Sequence, residues 1–258
     1  MIDIHCHVLW GIDDGPKTIE ESIETCKMLK NKGINTIIAT PHYILDSAYQ
    51  THGKVVIDMV KQLNDLLREK SLGLEIRHGM EVFLTPELIN LINSKEILTL
   101  GDTKYILIES SLNNISIYME DIFYKLQLEG YTPIFAHPER NSKINLDYKL
   151  IEKYISNGVL IQVNHDSLIG RYGSTVKHFT IELLKKGLAH FIATDTHYVN
   201  ERFKGEQEFI NDLSNIIGCE NAEKLVRSNP MRLLNNQDIE VLEPVGSRRH
   251  FLRRLFSF

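Results

Sequence analysis

The sequence predicts a single α/β domain whose mainly parallel sheet closes, or nearly closes, into a barrel. Short apolar, β-branched segments alternate with longer stretches of helical periodicity, which is the pattern of repeated βα units. Nearly every predicted strand is followed by a histidine or a carboxylate, and parallel α/β barrels build their sites from the loops after strand ends. The 258 residues suffice for one core, and no linker-like tract divides them.

Seven segments are predicted as strands because they are apolar, rich in β-branched residues and bounded by polar or turn residues. They are Ile2 to His5, Thr36 to Thr40, Leu74 to Glu81, Tyr105 to Glu109, Thr132 to His137, Val159 to Val163 and His190 to Thr194.

Six stretches between the strands have helical periodicity: Ile19 to Asn31, Lys54 to Lys70, Ile117 to Leu128, Leu146 to Ser156, Thr175 to Lys186 and Phe203 to Ile217. Thr18 and Glu21 form a capping box before the first of them. Glycines that fit helix C-termini follow four of the helices, at Gly33, Gly130, Gly158 and Gly187.

Composition argues against several classes of protein. The net charge of -5 gives no general electrostatic reason to bind nucleic acid, whose phosphates require clustered Lys and Arg. The three cysteines lack metal-type spacing and fit a reducing compartment. The N-terminus lacks the pattern of a secretory signal, and no apolar run reaches the roughly 18 residues that a membrane span needs. These features predict a cytoplasmic protein.

The residues at the strand ends are the main functional signal. In chain order they are His5 with His7, His42, Glu81, Glu109, His137, Asn164 with His165, and Asp195 with His197. In an extended strand, His5 and His7 project to one side and Cys6 to the other. Two strand histidines facing solvent would be an equally good explanation of this pair alone. The same spacing at Asp195 and His197 favours metal binding.

The remaining candidates have ordinary explanations beside the functional one. Glu81 and Glu109 follow apolar strands, so each either emerges into water or is held by cations at the barrel mouth. Asp14 lies in an Asp-Gly turn of the first βα loop, where it could both shape the turn and bind metal. The other histidines are interpreted as structural or surface residues: His52, His78, His178, His190 and His250.

Imidazole and carboxylate ligands together suit Mn, Fe or Zn, and the absence of thiolates argues against a structural zinc site. Two or three such ions can generate hydroxide at neutral pH and stabilise both oxygens of a phosphoryl transfer. Arg140 and Arg202, beside the strand ends, are the candidates for gripping phosphate. Each alone is more often a solvated loop arginine.

Other hydrolase classes lack their motifs here. A cysteine-based phosphatase needs an arginine six residues after its thiolate, but Ile12 follows Cys6 and Leu225 follows Cys219 at that distance. Neither a GxSxG elbow nor a GxxxxGK[ST] loop is present. Cys6 is therefore predicted to face the core.

Taken jointly, the motifs resemble those of the bacterial metal-dependent protein-tyrosine phosphatases of capsule and exopolysaccharide operons, in the polymerase and histidinol phosphatase superfamily. The resemblance covers nearly the whole chain. It rests on Met1 to His7, Gly11 to Gly15, Ala39 to His42, Gly79 to Val82, Ile108 to Glu109, Ala136 to Arg140 and Ala193 to His197. One departure is Trp10, where members commonly have proline; it removes no ligand.

The resemblance implies a distorted (β/α)7 TIM-like barrel over residues 1–243, with two or three divalent ions, most often Mn. It implies one ion at His5, His7, Glu81 and Asp195, a second at Glu81, Glu109 and His137, and a third at Asp14, His42 and His197. Arg140 and Arg202 would orient phosphate. The implied substrate is phosphotyrosine on the tyrosine kinase that regulates polysaccharide synthesis.

The mechanism expected from such a site is in-line attack of a metal-bound hydroxide on phosphorus, with the tyrosyl oxygen as leaving group. A phenolate is a fairly good leaving group, so a strong general acid is not required; His42 or His197 could supply a proton indirectly, and the sequence does not decide between them. Two alternatives remain: a phosphoesterase for a small molecule such as histidinol phosphate, and a non-catalytic metal-binding module of a biosynthetic complex. An amidohydrolase also begins with HxH, but usually has a bridging lysine near the fourth strand, where this chain has Glu109.

Residues 244–258 are predicted to form a separate tail. Four arginines lie among apolar residues after Pro244, at positions 248, 249, 253 and 254. Such a segment can anchor a protein to anionic lipid at the inner face of the membrane. The alternative is a disordered, solubilising terminus.

Overall fold

Strands and helices alternate along the chain, as the periodicity predicts. The computed structural model describes residues 1–146, 148–198 and 205–246. Predictions that fall outside the described residues include Arg202, the first two residues of the predicted helix Phe203 to Ile217, and residues 247–258 of the tail. The described strands are β1 Ile2–Cys6, β2 Thr36–Ala39, β3 His42–Tyr43, β4 Glu75–His78, β5 Glu81–Phe83, β6 Tyr105–Glu109, β7 Thr132–Ala136, β8 Leu160–Asn164 and β9 Phe191–Ala193.

The helices fill the intervals between these strands. They are α1 Ile19–Asn31, α2 Gly53–Glu69, α3 Leu88–Asn93, α4 Met119–Leu128, α5 Tyr148–Ser156, α6 His165–Ile169, α7 Ser174–Lys185, α8 Glu206–Ile217, α9 Cys219–Glu223 and α10 Asn229–Leu234. A π-helical turn, Lys224–Ser228, joins the last two.

The predicted elements agree with the structure except in local details. The single strand predicted over Leu74 to Glu81 is two strands, interrupted at Gly79 and Met80. A Cβ on Gly79 would lie 2.9 Å from Ile38 Cγ2, so the backbone passes close to β2 there. The predicted cap of α1 is present, since Glu21 N–H donates to Thr18 Oγ1 at 3.3 Å. The Glu21 carboxylate, however, accepts from Lys17 N–H and not from Thr18. The short helices α3, α6, α9 and α10 were not predicted.

All the strand pairings are parallel, which confirms a mixed α/β domain with parallel sheets. One sheet has the order β1-β2-β4, and the other β3-β5-β6-β7-β8-β9. The two adjoin, because β3 and β5 follow β2 and β4 after two-residue breaks. On the other side, β1 meets the segment after β9 through a bridge between Cys6 and Thr196.

Two apolar clusters show which way each strand residue points. The larger cluster joins one side of the strands to the helices, and includes Ile106 and Ile108 of β6. The smaller is formed mostly by strand residues, and includes Tyr105 and Leu107. Because side chains alternate along a strand, Glu109 continues the row of the smaller cluster. We call the side of the sheets that carries the smaller cluster the enclosed side, and the side that carries the larger cluster the helix-facing side. The enclosed side therefore ends in polar residues at the strand C-termini.

Within the described ranges, no helix combines the length and the apolar character that crossing a membrane requires. The three cysteines are unpaired, with Cys6 and Cys26 buried. Cys6 packs in the helix-facing cluster, as predicted, and burial raises the pKa of its thiol well above the ordinary value. A buried, protonated thiol is inert, which agrees with excluding a cysteine nucleophile.

Candidate metal centre

His5 of β1 and His7, which follows the strand, point to the same side, with their Nε2 atoms 3.2 Å apart and both rings fully buried. Ile2 and Ile4 belong to the strand-enclosed cluster, but Cys6 belongs to the helix-facing one. The alternation therefore breaks within β1, where its register against β2 shifts between residues 3 and 6. Such an irregularity re-aims side chains, and here it turns both imidazoles toward the enclosed side.

Two carboxylates complete the first group. Glu81 Oε2 lies 3.2 Å from His5 Nε2 and 3.4 Å from His7 Nε2. Asp195 Oδ1 lies 3.3 Å and 3.4 Å from the same two nitrogens. Neighbouring ligand atoms about 2.1 Å from one ion stand roughly 3.0 to 3.4 Å apart in octahedral or tetrahedral geometry. The observed separations fit a shared divalent cation.

Glu81 also contacts two further candidate ligands, His137 and His42. Its Oε1 lies 2.7 Å from His137 Nε2, and its Oε2 lies 3.0 Å from His42 Nδ1. Glu109 Oε1 approaches the same His42 nitrogen at 2.9 Å. Glu81 Oε2 and His42 Nδ1 are both buried, yet neither makes a hydrogen bond of acceptable geometry. Buried polar atoms are rarely left so, and a bound cation would satisfy both.

At the mouth of the site, Asp14 lies between two histidines. Its Oδ1 is 3.2 Å from His197 Nε2 and 3.6 Å from His42 Nε2. The His7 and His197 rings stack with their centroids 3.9 Å apart. Asp14, His7, His42 and His197 thus form a further group that could hold an ion, with Asp14 the most exposed member.

Two of these side chains depend on unusual backbone. His137 and Asp195, which follow β7 and β9, have φ values of 33° and 51°. Left-handed backbone is uncommon for residues other than glycine, although asparagine, aspartate and histidine adopt it more often than most. The turn brings His137 onto the enclosed side although it shares strand parity with the helix-facing Phe135. Such local strain is typical of functional sites.

Charge is concentrated within the site. Burial alone would lower the pKa of His42, but the charge of Glu81 and the Glu109 carboxylate, 2.9 Å from His42 Nδ1, raise it to about 10. Burial would raise the pKa of Glu81, yet the charges of His5 and His42 hold it well below its ordinary value. Without cations, the carboxylates therefore raise the pKa values of His5, His7 and His42, which favours their protonated forms. Divalent cations would displace those protons, as metal binding generally does.

All nine side chains predicted as ligands lie in four overlapping groups that could hold metal. The groups divide differently from the predicted sets. His42 joins Glu81 and Glu109, while His137 joins His5 and Asp195. The other predicted site residue that is described, Arg140, donates from Nη1 to Asp195 Oδ2 at 3.0 Å.

The sequence interpretation missed the residues that hold the ligands. Asp13 is buried, and its Oδ2 lies 2.8 Å from His7 Nδ1. It also accepts the backbone N–H groups of Gly15 and His42, at 2.9 and 3.2 Å. Partners of this kind fix the tautomer of a ligating histidine. A Cβ on Gly15 would lie 2.9 Å from the His7 carbonyl oxygen, so this close approach needs glycine. From the Asp13-Asp14-Gly15 motif, a role in the site was predicted only for Asp14.

A cavity of about 400 Å³ opens over the cluster. Besides ligands, its walls include Leu112, Arg140, Arg171, Tyr172 and Tyr198. The Arg140 guanidinium lies over the Tyr172 ring, 4.5 Å from its centroid. Arg171 pairs with Asp166 Oδ2 at 2.5 Å and contacts the Tyr198 hydroxyl. Neither Arg171 nor the two tyrosines were predicted, because no strand-end pattern marks them.

Known proteins match this chain along nearly all its length. A family model described as capsular polysaccharide synthesis, CpsB/CapC, matches residues 1–235. The tyrosine-protein phosphatase YwqE of Bacillus subtilis (strain 168) is 37% identical over 258 residues, with 100% of both chains covered. CapC of Staphylococcus aureus is 35% identical over 237 residues, 92% of each chain.

A solved structure gives the same result. It comes from a study of YwqE from Bacillus subtilis and CpsB from Streptococcus pneumoniae, described there as unique metal-dependent tyrosine phosphatases. It superposes with a TM-score of 0.89 at 37% identity and covers 95% of this chain and 98% of that one. The nine candidate ligands all lie inside the segment 1–235 that the family model matches.

Proposed function

The chain belongs to the CpsB/CapC family of capsular polysaccharide synthesis, and we propose that it hydrolyses phosphotyrosine in proteins at the cluster of histidines and carboxylates described above. It is thus a phosphoric monoester hydrolase of the metal-dependent protein-tyrosine phosphatase class. The observation that carries the proposal is the meeting of nine metal-ligand side chains beneath one open cavity.

Two or three divalent ions, most often Mn, fit the donor set, since imidazole and carboxylate without thiolate suit Mn, Fe or Zn. His5, His7, Glu81 and Asp195 would hold one ion; His42, Glu109 and His137 extend the cluster around Glu81; and Asp14 with His197 completes it at the mouth. Such ions activate water at neutral pH and neutralise charge on the transferred phosphoryl group.

The residues of the chain would position the substrate. Arg140 lines the cavity and presents a planar fork of donors that matches phosphate oxygens. Leu112 and Tyr172, which also line the cavity, offer apolar contact to a phenyl ring. A phenol has a pKa of about 10, so its oxygen departs with little protonation. His42 and His197, both at the mouth beside Asp14, would pass a proton if one is needed. Arg202 keeps its proposed phosphate-binding role from the sequence alone.

The proposed substrate is a bacterial tyrosine kinase that regulates capsule or exopolysaccharide synthesis, which would place the enzyme in the cytoplasm. The family's link to capsular polysaccharide synthesis and the full-length similarity to tyrosine phosphatases support this assignment.

We further infer that the two sheets form one distorted (β/α)7 barrel. If β2 with β3, and β4 with β5, are each counted as one interrupted strand, seven strands remain. The bridge between Cys6 and Thr196, with His7 N–H donating to Thr196 O at 2.8 Å, supports closure between the first and last of them.

Chelation should remove the activity. We expect purified protein to hydrolyse a phosphotyrosine peptide far faster than histidinol phosphate, and to lose the activity when a chelator strips the metal. Re-addition of Mn²⁺ should restore it. Metal content and turnover are measured on the same samples. Full activity in metal-free protein would overturn the proposed function, and a preference for histidinol phosphate would replace the substrate.

The tail supports a second experiment. Buried Leu242, and the bond from Asn221 Nδ2 to the Glu243 carbonyl at 2.8 Å, support residues 1–243 as the catalytic domain. One backbone bond, from Val245 N–H to Lys185 O, continues past that boundary.

The basic segment beyond Gly246 is proposed to contact anionic lipid. Truncation after Gly246 should weaken sedimentation with phosphatidylserine vesicles but not with neutral vesicles. Unchanged sedimentation would refute membrane contact through the tail.

A further inference from the structure

Two buried amides on β8 connect the ligands of the first metal group. Gln162 and Asn164 are both fully buried and two residues apart, so they share a face of the strand. That face is the enclosed one, since Ile161 and Val163 between and beside them pack in the helix-facing cluster. Interior positions of such sheets usually carry branched apolar residues, and a buried amide is destabilising unless it is hydrogen-bonded.

Each amide finds its partners within the site. The Gln162 Oε1 atom lies 2.9 Å from His5 Nδ1, and Gln162 Nε2 donates to Asn164 Oδ1 at 2.8 Å. Asn164 Nδ2 then donates to Asp195 Oδ2 at 2.6 Å. His5 and Asp195 also approach each other directly, since His5 Nε2 lies 3.3 Å from Asp195 Oδ1. The two amides thus join a histidine ligand to a carboxylate ligand.

The direction of every bond in this path follows from its carboxylate end. An ionised carboxylate can only accept, so Asn164 must turn its NH2 toward Asp195 and its oxygen toward Gln162. Gln162 must then turn its own NH2 toward Asn164 and its oxygen toward His5. An oxygen at that position accepts from His5 Nδ1, so the proton stays on Nδ1 and the Nε2 lone pair faces the metal group.

The Asn164 side chain contacts Asp195 in place of a local hydrogen bond to its own helix. It stands at the N-cap of α6, where asparagine is among the favoured residues because its side chain can accept from the first turn. Here its side chain makes no capping bond and turns back to Asp195. Its own backbone N–H donates to Glu139 Oε1 at 2.8 Å, which holds the residue in place. A local preference overridden in this way is expected at functional positions.

We propose that Gln162 and Asn164 form a directional relay from Asp195 to His5, which fixes the His5 tautomer and aligns both ligands for the first cation. The proposal rests on the metal centre of the proposed function, but not on its phosphatase activity. The two residues are positioning residues, because neither is placed to touch the metal or the substrate.

The experiment is a double-mutant cycle on metal affinity. Gln162→Met and Asn164→Leu keep size and remove the polar groups; Mn²⁺ is titrated into metal-free protein and followed by electron paramagnetic resonance. Each single variant should raise the Kd of at least one binding step by about 10- to 100-fold, as loss of an outer-shell partner generally does. In a relay, the second substitution finds the path already broken. The Kd of the double variant for Mn²⁺ should therefore be about equal to that of the single variant that binds Mn²⁺ more weakly.

A matched control is available on α8, where exposed Gln207 donates to Asn211 across one helical turn at 3.2 Å. The pair Gln207→Met and Asn211→Leu removes the same amide groups and should leave the Kd unchanged. Circular dichroism of the metal-free proteins separates folding defects from weakened binding, and Asn164→Ser serves as a milder variant if Asn164→Leu unfolds.

A second measurement tests the His5 bond directly. With Zn²⁺ as a diamagnetic probe, the His5 Nδ1 proton should give a protected NMR signal in the unaltered protein and lose its protection in Gln162→Met. Unchanged Mn²⁺ affinity in the single variants, or fold-changes that multiply in the double variant, would overturn the relay. An intact relay in a protein without phosphatase activity would instead refute only the proposed function.

Discussion

Glu81→Gln is expected to reduce turnover of a phosphotyrosine peptide by more than about 10³-fold. The Glu81 carboxylate lies within 3.4 Å of nitrogens from His5, His7, His42 and His137. An amide keeps the volume of the side chain but loses its charge and one acceptor. The stabilisation that metals contribute to phosphoryl transfer is several kcal/mol, and each 1.4 kcal/mol is about tenfold in rate.

Metal content distinguishes this explanation from a general loss of structure. Glu81→Gln should retain fewer Mn²⁺ ions per chain than the unaltered protein, with an unchanged circular dichroism spectrum. Glu96→Gln is the matched control, since Glu96 lies 3.4 Å from His52 in a partly exposed pair outside the metal groups. The control should keep its activity. Normal metal content with normal turnover in Glu81→Gln would remove Glu81 from the centre of the site.

The candidate ligands were predictable because strand periodicity and residue chemistry act locally. Glu109 continues the enclosed row of its strand, and the end of an apolar strand is visible in the sequence. For His5 and His7, spacing alone placed both rings on one side. The sequence did not show which side, because the register shift within β1 depends on pairing with β2. His137 reaches the site through left-handed backbone, which no residue pattern marks.

The supporting residues were not predictable for a related reason. Gln162 and Asn164 contact His5 and Asp195, which are distant in the chain, and Asp13 contacts His7 across the first βα loop. Their own sequence neighbours suggest ordinary strand interiors and a turn. Asn164 was noted at a strand end, but its spacing to Asp195 carries no signal. The grouping of ligands around Glu81 also depends on how the strands stagger. Sequence reasoning thus predicted the nine candidate ligands that the structure brings together, while their division into overlapping groups came from the structure.

Arg140→Ala is expected to lower kcat/KM for the phosphotyrosine peptide by about 10²- to 10³-fold while metal content stays normal. Loss of one preorganised donor to a transition-state oxyanion typically has this effect. The Arg140 guanidinium also donates to Asp195 Oδ2, a candidate ligand. Asn164 donates to the same oxygen at 2.6 Å, so the carboxylate remains held after Arg140 is removed.

Arg140→Lys separates charge from geometry at this position. Lysine keeps the positive charge but lacks the planar fork, so it should recover only part of the lost activity. The control is Arg68→Ala, which removes an arginine that is 75% exposed and paired with Asp65 on the surface of α2. It should leave both activity and metal content unchanged. Full activity in Arg140→Ala would remove the residue from the mechanism. Lost metal would instead assign Arg140 to holding Asp195, because only the carboxylate connects that arginine to the ions.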